Sequence, residues 1–239
     1  MKLITIIILL TITWLSSLAQ VKITPGDKLI NYSWVKPGHD FYRNQISDTT
    51  GKIVYDFVME NFITIDSAGR QITFARSRQI PAGSFSTDTS VTDLHFKPVR
   101  MHEIHYQRDV SFDMRFSDGQ AVVKTTRKGT VTERKYPMSA GYFEDNMIEY
   151  IFGYQQLKKG VTYVMDNFNK DTASPFDPYT IEYAFADTWD MAPDHRIKCT
   201  VLHFTHGETS GYIWIDDATH SMIKTVADFK TGSYLLTKI

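Results

Sequence analysis

Val110-Ser111-Phe112-Asp113-Met114-Arg115-Phe116-Ser117-Asp118-Gly119 is the stretch on which the fold reading turns. Its apolar residues alternate strictly with Ser111, Asp113 and Arg115, the period of a strand with one buried and one wetted face. Asp118-Gly119 then stands before a further run. That pair favours a tight hairpin, because glycine accepts the positive φ such a turn needs.

The period of two recurs in Ile53 to Met59, in Tyr163 with Met165, and in Ile181 to Phe185. Turn formers separate these runs at Ser67-Ala68-Gly69, Arg127-Lys128-Gly129 and Asp216 to Thr219. Hairpins are therefore predicted across roughly residues 28–136, with further strands from about 161 to the end. Between them Phe143, Met147, Ile148, Ile151, Phe152 and Tyr154 recur at helical spacing. Glu144 and Asp145 stand at the start of that stretch and Lys158-Lys159-Gly160 at its end, which suits the helix dipole and a glycine stop. The spacing predicts one amphipathic helix of about four turns over 142–157. Residues 80–89, 171–178 and 187–195 read as long loops. The fold class is mainly β: a curved antiparallel sheet or half-barrel of meandering hairpins, with one principal helix packed on it.

The first residues have a different logic. Lys2 precedes an apolar run from Leu3 to Leu15, and Ser17 and Ala19 are the small residues that a signal peptidase reads. Residues 1–19 are expected to be a cleavable export signal and 20–239 a single β-rich domain, periplasmic or secreted. Gln20 follows the cleavage point where an acylated lipoprotein would need a cysteine. No later apolar run reaches spanning length, so no transmembrane segment is expected after cleavage. The formal net charge of −1 gives no electrostatic reason to bind nucleic acid. Cys199 is the single cysteine, so no internal disulfide is available, and its alternation with Ile197 and Val201 marks a buried thiol.

The order of parts carries a resemblance. A strand enters at Leu94-His95-Phe96-Lys97-Pro98-Val99, and a Leu-x-x-Gly-x-x-Tyr entry follows at Leu157 to Tyr163. Gly211-Tyr212-Ile213-Trp214-Ile215-Asp216 supplies a Trp-x-Asp hairpin. The chain resembles an exported bacterial family of unknown function, similar in fold to the lipoprotein-localisation carriers. In those carriers a curved half-barrel is closed by helices over an apolar cavity. The resemblance implies a fold and a hydrophobic ligand, and it carries over no catalytic residue. One recognisable helix, where the carriers have several, departs from that pattern.

Candidate chemistry is sparse. His102-Glu103-Ile104-His105 has a spacing of three on a strand, which sends the two imidazoles to opposite faces, whereas a zincin needs a spacing of four on a helix. Cys199 and His203 share a face but lie about 13 Å apart along an extended strand. Asp216-Asp217 reads as turn chemistry and Glu144-Asp145 as helix N-terminal charge. No nucleophile elbow, phosphate loop, metal set or cofactor motif appears, so catalytic, metal and cofactor assignments are none.

What remains is the apolar inventory on alternating strands. Tyr55, Phe57, Phe112, Met114, Tyr163 and Met165, with Phe152 of the helix, are the candidate ligand-binding residues, since methionine and aromatic side chains adapt to flexible apolar ligands. Trp189, among Asp187, Asp190 and Asp194, is the candidate partner contact. The leading expectation is a non-enzymatic protein that binds a lipid or another amphipathic ligand. The alternatives are an assembly factor contacting an envelope protein or polysaccharide, and a secreted hydrolase whose site forms across strands.

Overall fold

The computed structural model describes residues 20–80, 84–117, 119–138, 141–170, 177–192 and 195–239. The expected export signal lies outside the described residues, as do Asp118, Asp194 and most of the 171–178 segment.

The chain opens with β1 (Val21–Ile23) and a short 3-10 turn at Tyr32–Trp34, where the Asn31 side chain accepts from the Ser33 amide. A meander follows: β2 (Gly38–Asp48), β3 (Ile53–Ile65), β4 (Gln71–Ile80), β5 (Ser84–Asp93), β6 (Pro98–His105), β7 (Val110–Ser117), β8 (Gln120–Arg127) and β9 (Thr130–Pro137). The chain then crosses through β10 (Phe143–Glu144), α1 (Asp145–Ile151), a 3-10 turn (Phe152–Tyr154), β11 (Thr162–Met165) and β12 (Asn167–Phe168). A second meander closes it: β13 (Tyr179–Ala192), β14 (His195–His206), β15 (Thr209–Asp216), β16 (Met222–Phe229) and β17 (Gly232–Lys238).

The two meanders join where β17 pairs antiparallel with β2. One sheet of 15 strands results, in the order β1-β11-β13-β14-β15-β16-β17-β2-β3-β4-β5-β6-β7-β8-β9, with β1 and β9 as its edges. It is a large open curved sheet and does not close into a barrel. The hairpin expected at Asp118-Gly119 is present: Ser117 pairs with Gln120 and Gly119 has φ of +84°.

The concave face is filled. One cross-strand row runs Leu202, Ile213, Thr225, Leu236, Asn44, Phe57 from β14 to β3. Met147, Ile148, Ile151 and Phe152 insert against this face and are buried with Ile23, Tyr42, Met59, Phe74, Tyr163 and Met165 in one apolar cluster. A smaller cluster holds Met101, Met114, Ala121 and Val123 under Phe168.

Three expectations change. The helix is half the predicted length, because both ends are captured by extended pairing. Phe143 and Glu144 pair in parallel with Asn167 and Phe168, and Gln155 bridges to Ile30. The Glu144 side chain caps α1 by accepting from the Asn146 amide at 3.0 Å. The stretch from Asp187 to Ala192 is strand, not loop. Its Trp189 ring packs on the outer face, where Lys224 Nζ sits 4.6 Å from the ring centroids of both Trp189 and Trp214. Ile80 and Ser84 likewise pair directly, so the predicted long loop there is a hairpin.

Candidate functional site

Register places charge where alternation alone shows only a face. A second row crosses the concave side as Asp40, Asn61, Arg76, Asp88, Glu103, Phe112 from β2 to β7. Arg76 continues the inward face of Ile72 and Phe74 on β4. Asn61, Arg76, Asp88 and Glu103 are all buried. Buried charge is tolerated only when paired, and pairs are present. Arg76 Nη2 lies 3.0 Å from Glu149 of α1, Arg78 lies 2.9 Å from Asp88, and Lys170 lies 2.5 Å from Glu103.

These pairings set the protonation states. Burial raises the Asp88 carboxyl above its ordinary range, against the pull of Arg76 and Arg78. Burial acts the same way on Glu103, but Lys170 and His105 outweigh it and hold that carboxyl below the ordinary value. Among the described residues Glu144 has no ion-pair partner. Burial pushes it up to about 8, although Ser90 and the Asn146 amide donate to it.

Among the described residues, two of the cavities are large enough to hold a small molecule. The first, about 510 Å³, lies at one rim of the sheet, where the β5–β6 turn meets the ends of β7 and β9. Pro98, Val99, Phe116, Met138 and Tyr142 form its apolar wall, and Asp93, Lys97 and Ser117 are its polar members. It adjoins the smaller apolar cluster, since Phe116, Met138 and Tyr142 pack against that cluster. The Met138 amide donates to the Gly119 carbonyl at 2.9 Å, tying the end of β9 to the β7–β8 turn. The second, about 300 Å³, opens on the concave face beside Arg76 and Glu149.

The candidate ligand-binding residues divide by depth. Phe57, Met114, Tyr163, Met165 and Phe152 are packed core. Tyr55 shares the inward parity of Phe57 but lies at the end of β3 and is exposed. Phe112 is half-buried under Lys170, whose Nζ is 4.7 Å from the ring centroid. None of the seven lines either cavity. Trp189 is half-buried and joins an outer aromatic patch with Trp214, Tyr212 and Phe185, the last two more than 40 % exposed. Beneath that patch Val201 and Cys199 are fully buried, although they point away from the concave core. His102 and His105 take opposite faces: His105 reaches inward to Glu103, and His102 lies outside near Asp113.

Together these features define an open half-barrel with a filled concave core, a buried charged row and a rim pocket. The chain belongs to the family described as a protein of unknown function, DUF3108, whose pattern matches residues 39–237. It is similar in fold to a crystal structure described as a beta-barrel-like protein of domain of unknown function DUF1849 from Brucella abortus. That likeness has a TM-score of 0.57 at 11 % identity and covers 88 % of this chain and 97 % of the other. No curated protein matches the chain.

Proposed function

We propose that the protein is an exported, non-enzymatic binding protein for a hydrophobic or amphipathic ligand, held in the rim pocket. The observation that carries this reading is the 510 Å³ pocket itself, walled by Val99, Phe116, Met138 and Tyr142 with Asp93 and Lys97 among its lining. Small-molecule sites are typically apolar clefts of about 300–1,000 Å³ with a few polar groups that orient the ligand. An acyl chain fits such a wall, and a polar head fits its charged members. The half-barrel fold is consistent with this reading by analogy only.

The test is fluorescence of N-phenyl-1-naphthylamine on titration with residues 20–239, with laurate as competitor. Saturable enhancement that laurate reverses, and that Val99→Trp abolishes while the fold is retained, supports the reading. A folded protein that gives no enhancement excludes it.

Export rests on the charge, apolar core and small residues of Met1 to Ala19. N-terminal sequencing of protein recovered from the periplasm or medium should begin at Gln20.

The outer aromatic patch favours a second reading, an assembly role. Exposed contiguous rings mark interaction faces, and Trp189→Ala would then weaken capture of an envelope partner.

A further inference from the structure

The net charge of −1 is not spread evenly along the chain. Residues 98–137, which carry β6 to β9, hold eight Lys and Arg against five Asp and Glu. One of those acids, Glu103, is buried and paired with Lys170, so the excess at the surface is larger still. Register gathers it on the outer face. Met101, Met114 and Ala121 point into the smaller core cluster, so strand alternation turns their neighbours Arg100, Arg115 and Val122 outward. Arg100 pairs with Arg115, Arg115 with Val122, and Val122 with Lys135, which makes one cross-strand row. Its three cations are all exposed. Like charges set directly opposite destabilise a strand pair, yet Arg100 and Arg115 stand in that relation. Among the described residues Arg100 and Lys135 have no ion-pair partner, and Arg115, 82 % exposed, reaches only Asp113 of its own strand at 3.5 Å. The row borders the rim pocket: Arg100 follows Val99 and Arg115 precedes Phe116, both in the pocket wall. It lies two residues, about 7 Å, from the strand ends at Ser117, Gln120 and Pro137. At the same rim the β5–β6 turn leaves Leu94 exposed.

We propose that this end of the sheet docks on a bilayer surface rich in anionic phospholipid, with Arg100, Arg115 and Lys135 meeting the phosphates. The three side chains line neither cavity, so the row encloses no small anion and fits an extended anionic surface. The unrelieved repulsion between Arg100 and Arg115 is then offset by the partner, since guanidinium groups recognise phosphate by paired hydrogen bonds. Each cation held near an anionic bilayer adds to its attraction, and salt screens that attraction. The choice of a bilayer over another polyanion rests on the rim-pocket reading. A bilayer presents anionic heads to the row and acyl chains to the adjoining apolar wall, and the exposed Leu94 suits its apolar side.

The experiment is co-sedimentation of residues 20–239 with mixed phosphatidylglycerol–phosphatidylcholine vesicles and with pure phosphatidylcholine vesicles, each at low and high sodium chloride. Binding to the anionic vesicles that salt weakens, with little binding to the neutral ones, is expected. Arg100→Gln, Arg115→Gln and Lys135→Gln together should weaken it about a hundredfold. Lys36→Gln, Lys52→Gln and Lys230→Gln together remove as much charge from exposed positions outside β6 to β9 and should leave it nearly unchanged. Four results would overturn the proposal: no binding by a folded sample; equal binding to neutral vesicles; equal loss in the two triple variants, meaning diffuse charge and no docking face; or tighter binding to a polythymidine oligonucleotide than to the vesicles. Uptake of N-phenyl-1-naphthylamine is read without vesicles, so the pocket reading and the docking face can each fail without the other.

Discussion

Arg76 Nη2 of β4 meets a Glu149 carboxylate oxygen of α1 at 3.0 Å, and this pair ties the helical segment to the charged row of the sheet. Arg76 is deeply buried, whereas the Glu149 side chain keeps 28 % of its exposure. Glu149→Ala therefore removes the carboxylate that ion-pairs with the guanidinium, leaving Asp88 as its nearest charge, and should cost about 2–4 kcal/mol in urea unfolding. Replacing both partners, with Arg76→Met and Glu149→Leu together, should cost less than Glu149→Ala alone. Equal or additive losses would show that the pair is not coupled.

Glu144 makes stability depend on pH in a definite direction. Its ordinary value is 4.5 and burial pushes it up to about 8 in the folded chain. Below about pH 4.5 the carboxyl is protonated whether the chain is folded or not. Between 4.5 and 8 the unfolded chain releases this proton while the folded chain keeps it, so rising pH favours unfolding; above 8 this contribution levels off. Glutamine mimics the protonated form, accepting from Asn146 and donating to Ser90. Glu144→Gln should therefore gain on the wild type by a few kcal/mol, as an order of magnitude, between pH 5 and pH 8. Denaturant midpoints measured for both proteins across that range decide it; parallel profiles would contradict the assignment.

Much of this was legible in the sequence, though unevenly. The run from Val110 to Gly119 reads as a hairpin because alternation and turn chemistry are local, and Ser117 does pair with Gln120. Alternation reports a face but not a depth. Phe57, Tyr163 and Met165 each fall on the apolar side of an alternating run, yet nothing local says that α1 closes over them. Arg76 has the parity of Ile72 and Phe74, so its inward aim was available. Its alignment with Asp88 and Glu103 depends on the register of three strands, which the loop expected over 80–89 hides. The segment after Asp187 looked like loop through its acids. It is strand because Trp189 and Phe185 cover an outer face that the sequence gives no reason to expect.

Gly153 sets how closely the helical segment approaches the sheet. A Cβ there would stand 1.9 Å from the His220 carbonyl oxygen, a backbone atom that cannot swing aside. Gly153→Ala should cost about 2–3 kcal/mol by overpacking. Gly129→Ala, at φ of +78° with open space around it, should cost only about 1 kcal/mol of left-handed strain. Thermal melts of the two variants give the comparison, and equal shifts would mean that the Gly153 contact yields.

The half-barrel is filled beneath its helix and open at its rim. Methyl NMR of residues 20–239 titrated with laurate tests it most directly, with the Val99 and Met138 methyls reporting the rim pocket and Met147, Ile148 and Ile151 reporting the core. Saturable shifts are expected at Val99 and Met138 while the three core residues stay unmoved. Shifts centred on Met147, Ile148 and Ile151, or none at any methyl, would contradict it.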